Sequence, residues 1–492
     1  MLYYISMIEH IPQEILEIYK KLERANFEVY LVGGCVRNML LKKPVKDWDM
    51  ATDATPEDLL KVFKEGFYDN KFGTVGLPVE ASAKPGVPIQ KTVVEITTFR
   101  TERGYSDKRR PDRVEWGKNI EVDLARRDFT INAIALKILR HSGEEERRLQ
   151  NLDSGQGTYR MFTCQARMTK YEIIDPFDGQ KDIEKKLIRA VGDPKQRFKE
   201  DALRLLRAIR IATELSFTIE EKTWKEIVID ASLIAKVSGE RIRIELLRIM
   251  SCKNVYGGII LLKNADLLKY ILPELLQGVG ISQKRPGRHH TDDVFTHNVL
   301  SLKFCPSKDP IVRFAALLHD VGKPKVMEKD EKGLIIFYNH EVAGSIIAKK
   351  ICDRLKFSKK ERDKIVNLIR WHMFTVDEKL SDAGIRRFIR RIGVKNVKDM
   401  IDLRIGDRLG GGTQTAESWR LKLFKKRIED QLKPLPFSIN DLVIDGNDIM
   451  KELKIKPGPK VGEILQKLFL EVDEDLSKNN REYLLKRIRK FS

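Results

Sequence analysis

Asp47 and Asp49 are separated by a single residue, Trp48. On an extended strand, residues i and i+2 project to one face. If residues 46–50 are a strand, both carboxylates meet at one spot and can hold a hard divalent cation. Mg²⁺ fits, because it takes a few carboxylates together with substrate phosphates. Two such ions would activate an attacking hydroxyl and stabilise a departing pyrophosphate. Asp-x-Asp also occurs in solvated turns, so what precedes it matters. Gly33-Gly34 follows a short apolar strand at 28–32 and leads into helical spacing over 36–41. Glycine lets a backbone approach a ligand closely, and the first amides of a helix are unpaired donors for phosphate. Arg37 lies about one turn into that helix and adds charge. Strand, Gly-Gly, helix and Asp-x-Asp together predict a triphosphate site.

These residues sit in a chain of 492, long enough for roughly two to four domains. Lys+Arg number 92 against 72 Asp+Glu, a net charge of +20. That balance favours a polyanionic partner, or else simply a basic surface. The five cysteines are scattered with no Cys-x-x-Cys, and read as reduced thiols, neither zinc ligands nor a disulfide framework. The N-terminal MLYYISMIEHIPQEI has no basic segment ahead of an apolar core, and no apolar run approaches the roughly 20 residues that span a bilayer. The expectation is a cytoplasmic protein with no membrane contact and no obligate protein partner evident.

The elements that must position the site follow from periodicity. Ile15, Leu16, Ile18, Tyr19 and Leu22 are spaced for one buried helix face over 12–26. Further strands are expected at 73–77, 93–99 and 114–116, so helix and strand mix up to about residue 139. Residues 140–172 are polar and irregular, an inserted loop or hairpin. Beyond about 180 the pattern is almost entirely helical. The fold class is therefore α+β: a small mixed head at 1–139 with a five-stranded type of sheet, the insertion at 140–172, a helical nucleotide-recognition and RNA-binding region at 173–285, a helical domain at 286–432, and a helical tail at 433–492.

Six of the eight histidines fall between 289 and 372. His297, His319-Asp320, His340 and His372, with a later Asp407, combine imidazole and carboxylate, a donor set suited to transition metals rather than Mg²⁺ alone. Apolar residues 314–318 run as a helix into His319-Asp320-Val-Gly-Lys-Pro. The segment from roughly 290 to 410 resembles an HD-type metal-dependent phosphohydrolase module. The resemblance implies a second divalent metal and hydrolysis of a phosphomonoester or cyclic phosphodiester, with a retained but inactive fold as the rival.

LVGGCVRNML and KDWDMATDATP resemble the head motif of class II transfer-RNA nucleotidyltransferases and bacterial poly(A) polymerases, in the DNA polymerase beta superfamily. The likeness continues through RRDFTINAIA, DPFDG, RFKEDALRLLRAIRIATEL and SGERIRIELLRIM, covering about residues 25–275. It departs at Asn38, where the family usually has aspartate, and at Trp48, usually aliphatic. The resemblance implies template-independent addition of CCA to tRNA 3′ ends from CTP and ATP, with poly(A) polymerase as the alternative. Another alternative is an HD phosphohydrolase whose head only binds nucleotide, and a third is a non-catalytic RNA-binding protein. Glu95, in VVEITTF, shares a strand face with Val93 and Thr97. It is either a third carboxylate beside the metal pair or a surface glutamate. Arg127 and Asp128 resemble the family's sugar-reading motif, since an Asp/Arg pair can meet a 2′-hydroxyl that donates and accepts. The other reading is a capped helix start.

Asp201 and Arg204 stand at i, i+3 on an expected helix and would share a face. Aspartate accepts and arginine donates, so the pair matches the amine and ring nitrogen that cytosine and adenine both present, and rejects uracil and guanine. In the family this motif does that task; alone, it reads as a surface salt bridge. The charged stretch between Phe99 and Trp116 corresponds to a flexible loop that helps the family switch from C to A. Near the C-terminus, Lys454, Lys456 and Lys460 surround Gly458 and either meet RNA phosphates or are simply solvated.

Overall fold

The computed structural model describes residues 11–45, 47–68, 73–81, 90–103, 113–139, 170–283, 293–374, 376–377, 379–432 and 438–491. The chain divides into two compact units, Met1–Ile271 and Leu272–Ser492.

In the first unit, helix Gln13–Arg24 buries the stripe Ile15, Ile18, Tyr19 and Leu22, as its spacing predicts. The Tyr19 hydroxyl then stitches two strands: it donates to the Val29 carbonyl at 2.7 Å and accepts from the Ile138 amide at 2.9 Å. The strands are β1 (Val29–Val32), β2 (Asp49–Thr52), β3 (Phe67–Tyr68), β4 (Thr74–Ala81), β5 (Gln90–Thr98), β6 (Arg100–Arg103), β7 (Arg113–Trp116), β8 (Ala135–Leu139) and β9 (Lys170–Ile174). One sheet runs β3-β4-β5-β2-β1-β8-β9, and β6-β7 form a separate hairpin. Four of the five central strands, β4, β5, β2 and β1, match expected strands; the fifth is β8, which is not among the expected strands, while the strand expected at 114–116 is β7 and pairs with β6 outside this sheet. β9 starts inside the stretch read as a polar insertion; residues 140–169 lie outside the described residues. Within this sheet, among the described residues, β2 and β5 are the parallel pair, with Asp49 opposite Glu95. Every residue of β1 is buried, which suits a central strand covered on both faces. One core cluster gathers Tyr30, Val32, Ala51, Phe99, Leu124 and Ala135. The loop read between Phe99 and Trp116 is flanked by β6 and β7, and its tip, 104–112, lies outside the described residues.

The rest of this unit is helical. Helix Leu203–Leu215 buries Leu205, Leu206, Ile209, Ile211 and Leu215 and packs against Gly239–Met250 and Val255–Asn264. It is buried on most sides, with Arg210 and Thr213 among its buried residues.

The second unit is an assembly of helices. Val294–Phe304 lies against Val397–Gly410, and glycine makes that approach possible: a Cβ on Gly406 would sit 2.5 Å from the Ser301 carbonyl oxygen. Toward the C-terminus, Asp473 is completely buried and binds two arginines of helix Asp382–Ile392. Arg386 Nε donates to its Oδ1 at 2.9 Å and Arg390 Nη1 at 3.1 Å, with a further short contact from Arg390 Nη2. Removing one partner of a buried ion pair strands the other charges. Asp473→Ala is expected to lower stability by about 3 kcal/mol in chemical denaturation; a change below a few tenths would mean the arginines find water instead.

Among the described residues, no helix is long and apolar enough to cross a membrane. The described cysteines, Cys35, Cys252, Cys305 and Cys352, are buried and unbridged.

Candidate active site

β1 ends at Gly33, whose φ of 75° and ψ of −133° send the chain into helix Gly34–Leu40. Residues with a side chain rarely take that conformation. A Cβ here would also stand 2.9 Å from Arg127 Nη1 and 3.6 Å from Asp49 Oδ2. Three motifs far apart in sequence thus converge on one glycine. Gly33→Ala is expected to lower kcat/KM for nucleotide addition at least about ten-fold, since the strained backbone alone costs on the order of 1–3 kcal/mol. Steady-state kinetics with an unchanged circular-dichroism spectrum would check it; full activity would place the ligand elsewhere.

Strand β2 begins at Asp49, not before it. Lys46 lies outside the described residues and Asp47 occupies an exposed bend. The expectation of a strand across 46–50 is corrected accordingly: buried Trp48 turns inward and starts the ladder, its carbonyl accepting from the Glu95 amide at 3.2 Å. Burial pushes the Asp49 carboxyl above its usual range, Arg127 opposes this, and the Asp47 charge adds to it. The two carboxylates therefore feel each other. Glu95, opposite Asp49 in the parallel ladder, is exposed, while Val94 and Ile96 are buried. Neighbouring partners in a ladder share a face, so Glu95 stands beside Asp49. A carboxylate driven toward neutrality by burial and a like charge is one that a divalent cation would relieve.

Arg37 is buried beside Gly34. Its Nη1 donates to Asn132 Oδ1 at 2.7 Å, and its Nε and Nη2 both donate to Asn38 Oδ1 at 3.2 and 3.0 Å. Asn38 therefore holds the guanidinium as an acceptor without neutralising it. Burial lowers the Arg37 pKa.

Arg127 leans over Gly33 because Asp123 holds it: Nη2 donates to Asp123 Oδ2 at 3.2 Å, and Arg126 takes the other oxygen at 2.6 Å. Its Nε is buried without a hydrogen-bond partner. Asp128 is different. Its Oδ1 accepts from the Phe129 amide at 2.8 Å and from Asn132 at 3.1 Å, and its Oδ2 takes both Arg207 Nε and Nη2, at 2.8 and 2.7 Å. Its pKa is held below the usual carboxylate range: burial would raise it, and Arg207 and Asn132 outweigh burial. Both its oxygens are engaged within the protein, and Arg127 is the member of the pair that lies against Gly33.

Asp201 and Arg204 do not share a helix. Helix Pro194–Glu200 stops at Asp201, and Leu203–Leu215 begins after it. The break has a cause: the Asp201 carboxylate accepts from the Leu203 amide at 3.1 Å, the local bond by which aspartate competes with a continuing helix. Nor do the two side chains pair with each other. Arg241 grips both Asp201 oxygens at 3.1 and 2.7 Å, while Arg204 donates to Glu200 at 2.6 Å and to the Arg126 carbonyl at 2.9 Å. Arg204 is thereby tied directly to the segment that carries Arg127.

Asp123, Arg207 and Arg241 were not singled out by sequence. Asp123 had a signal, its i, i+3 and i+4 spacing to Arg126 and Arg127. The other two pair across long separations that spacing does not reveal.

In the second unit His297, His319, Asp320, His340, His372 and Asp407 all come together. Asp320 divides them. Its Oδ2 lies 3.3 Å from Nε2 of both His297 and His319; its Oδ1 lies 3.2 Å from His340 Nε2 and 3.6 Å from His372 Nε2. Asp407 Oδ1 joins the first pair at 3.3 and 3.6 Å. The Nδ1 atoms of His319, His340 and His372 lie 2.9, 2.8 and 2.8 Å from carbonyls of Ala316, Phe337 and Ile369. A carbonyl only accepts, so Nδ1 carries a proton and Nε2 faces a carboxylate, donating to it when the imidazole is protonated and offering a lone pair to a metal when it is not. That arrangement requires positive charge at its centre, from protons or metal. Burial would deprotonate the imidazoles; the two aspartates outweigh it at His297 and His319, the latter pushed up to about 10, whereas burial prevails at His372. His297, His319 and Asp320 form one three-donor group fit for an ion, and Asp320, His340 and His372 a second. Lys323 contacts Asp320 and Gln283.

Lys454, Lys456 and Lys460 are exposed around Gly458, with no arrangement that converges on one point.

Residues 29–150 match the profile described as poly A polymerase head domain, 216–278 that of a probable RNA and SrmB-binding site of polymerase A, and 335–488 that of tRNA nucleotidyltransferase domain 2, putative. A CCA-adding enzyme of Pediococcus pentosaceus is 30% identical over 485 residues, 98% of this chain and 99% of the relative. The crystal structure of the Bacillus stearothermophilus CCA-adding enzyme in complex with CTP superposes with a TM-score of 0.67 at 24% identity, covering 97% of this chain and 98% of that one. The Thermotoga maritima CCA-adding enzyme complexed with tRNA gives 0.51 at 20% identity, covering 99% and 97%. A head of mixed sheet, a helical body and 30% identity with a curated relative along nearly the whole of both chains lead to one conclusion: the chain belongs to the CCA-adding enzyme family of tRNA nucleotidyltransferases, and it adds CCA to tRNA.

Proposed function

We propose that the head of this chain transfers nucleotides from CTP and ATP to a tRNA 3′ end by in-line attack of the terminal hydroxyl on the α-phosphate. The observation that carries the reading is the convergence of Gly33, Arg127 and Asp49 within 4 Å of one backbone position. Asp47 and Asp49, with Glu95 beside them, would hold the divalent cation the family uses, Mg²⁺ by ligand type. Bound there, the cation supplies charge for the hydroxyl and the leaving pyrophosphate. Gly33 and Gly34 let the triphosphate approach the backbone, and buried Arg37 and partly buried Arg127, each held by hydrogen bonds, meet its charge. Arg127 serves the sugar side, held by Asp123, while Asp128, fixed by Arg207, reaches Arg37 through Asn132. Asp201 and Arg204 read the base, Arg241 and Glu200 holding each in orientation, so that nucleotide choice needs no template strand. Basic helices beyond 240 meet the RNA mainly through phosphate and shape.

Sequencing the 3′ ends made on a truncated tRNA with each nucleotide mixture tests this. Expected products are CC with CTP alone and CCA with both. Incorporation of ATP onto any RNA with CTP ignored would instead mean a poly(A) polymerase.

A second reading concerns the histidine cluster, and the division of Asp320 between two histidine pairs favours it. The six side chains would hold one or two transition-metal ions and support phosphoester hydrolysis of the HD type. The donor set fits: neutral Nε2 atoms, two carboxylates, and a charge balance that calls for cations.

A further inference from the structure

Next to the histidine cluster, within the same unit, lies a cavity of about 470 Å³ lined by Met373, Phe374, Arg404, Arg408, Trp419 and Arg420 among others. Among the described residues, no carboxylate lines it. The cavity joins the cluster through two residues. Met373 directly follows His372. Arg404 Nη1 binds Asp407 Oδ2 at 3.0 Å, while Oδ1 of the same carboxylate faces His297. One aspartate of the cluster thus holds an arginine of the cavity wall.

The lining has two chemistries. Trp419 is 60% exposed and Met373 58% exposed, large apolar side chains left in water. Guanidinium groups lie against the aromatic rings: Arg420 is 5.3 Å from the Trp419 centroid and Arg404 is 5.6 Å from that of Phe374. Arg408 contributes a buried Nε that has no hydrogen-bond partner. Indole and guanidinium planes are what a nucleobase stacks on, and guanidinium groups such as those of Arg408 and Arg420 suit phosphate. The volume falls within the roughly 300–1,000 Å³ of small-molecule sites, enough for one nucleotide and too small for a duplex.

We propose that this cavity is a nucleotide subsite that seats the terminal base and backbone phosphate of a single-stranded RNA end, presenting the end's 3′-side phosphate to the histidine cluster. The proposal rests on the hydrolase reading only for what happens at that phosphate; the seat itself does not. It makes the cluster's substrate class an RNA terminus, in preference to a small phosphomonoester lacking a base.

The test uses the full chain and a 5′-fluorescein-labelled CCA trinucleotide bearing a 3′-phosphate, with binding followed by anisotropy. Trp419→Ala should weaken binding about ten-fold and Trp419→Phe should restore most of it, in line with base–aromatic stacking. Arg408→Gln should weaken it by a similar factor, which keeps the proposal testable if the tryptophan variant fails to melt cooperatively. An abasic analogue of equal charge should bind the wild-type chain about ten-fold less well. With Mn²⁺ and adenosine 2′,3′-cyclic monophosphate, Trp419→Ala should raise KM and leave kcat unchanged. Equal binding of the abasic analogue, or unchanged affinity in both Trp419→Ala and Arg408→Gln, would overturn the subsite. If wild-type protein hydrolyses no phosphoester yet binds the trinucleotide through Trp419, the hydrolase reading fails and the subsite stands.

Discussion

Asp49→Asn should abolish nucleotide addition, by at least about 10³-fold in kcat, with CTP and ATP alike, and should not destabilise the protein. The activity loss follows because a neutral amide is a poor ligand for a hard divalent ion whose charge stabilisation supplies several kcal/mol of the barrier. The stability expectation comes from electrostatics. Burial first, and the Asp47 charge after it, raise the Asp49 pKa in the folded state. A carboxylate whose folded pKa is raised costs stability once it ionises: the cost is absent below its unfolded value, grows as pH rises toward the folded value, and is full above it. Asn removes the cost. Metal-free Asp49→Asn should therefore melt at or above the wild-type temperature at pH 7, and the difference should vanish on acidification toward pH 4. Glu95→Gln, at an exposed position, should lose activity without the stability gain. Addition retained in Asp49→Asn would sink the metal assignment; a loss of stability equal to the loss of activity would recast Asp49 as a structural residue.

Asp320→Asn should do the reverse. Both oxygens of Asp320 face histidine pairs, so one substitution damages both three-donor groups. Transition-metal affinity should fall by at least about 100-fold, more than the change produced by losing an outer-shell partner, and any hydrolysis of phosphoesters should go with it. Nucleotide addition should be untouched. The pH dependence is also set. In the metal-free cluster His319 keeps its proton up to about pH 10, against the pull of burial, because Asp320 and Asp407 flank it. A metal must displace that proton, so affinity should rise with pH and binding in weak buffer should release protons. Calorimetry with Mn²⁺ or Co²⁺ in two buffers of different ionisation enthalpy would measure this. Binding that survives Asp320→Asn, or that shows no proton release, would mean that the cluster is held by its own hydrogen bonds and not built for an ion.

Much of the site was legible before any coordinates because its chemistry is local. Gly33 lies at a strand-to-helix turn, Glu95 alternates with buried Val94 and Ile96, and residues 314–318 run into His319-Asp320; each is a statement about a few neighbouring residues. The α+β division was legible too, since period-2 and period-3.6 patterns occupy different stretches. The sequence argument overreached where a residue's partner is distant. Asp201 and Arg204 looked like a helical i, i+3 pair, yet the Asp201 side chain ends one helix and turns to Arg241, forty positions away. Asp128 looked available to a ligand, yet Arg207 occupies it. Asp47 looked like strand and is a bend.

By itself, then, the order of residues determined which groups can do chemistry here: the carboxylate pair, the glycine turn and the histidine-rich stretch. It did so because side-chain type and short-range spacing are properties of the chain alone. Only tertiary structure decided which of those groups remain free to act. Each arginine and aspartate can make a limited number of hydrogen bonds, and burial favours partners for most of them. Whether Arg127 or Asp128 faces the ligand, and whether Asp320 serves one histidine pair or two, depends on partners that folding brings from elsewhere in the chain.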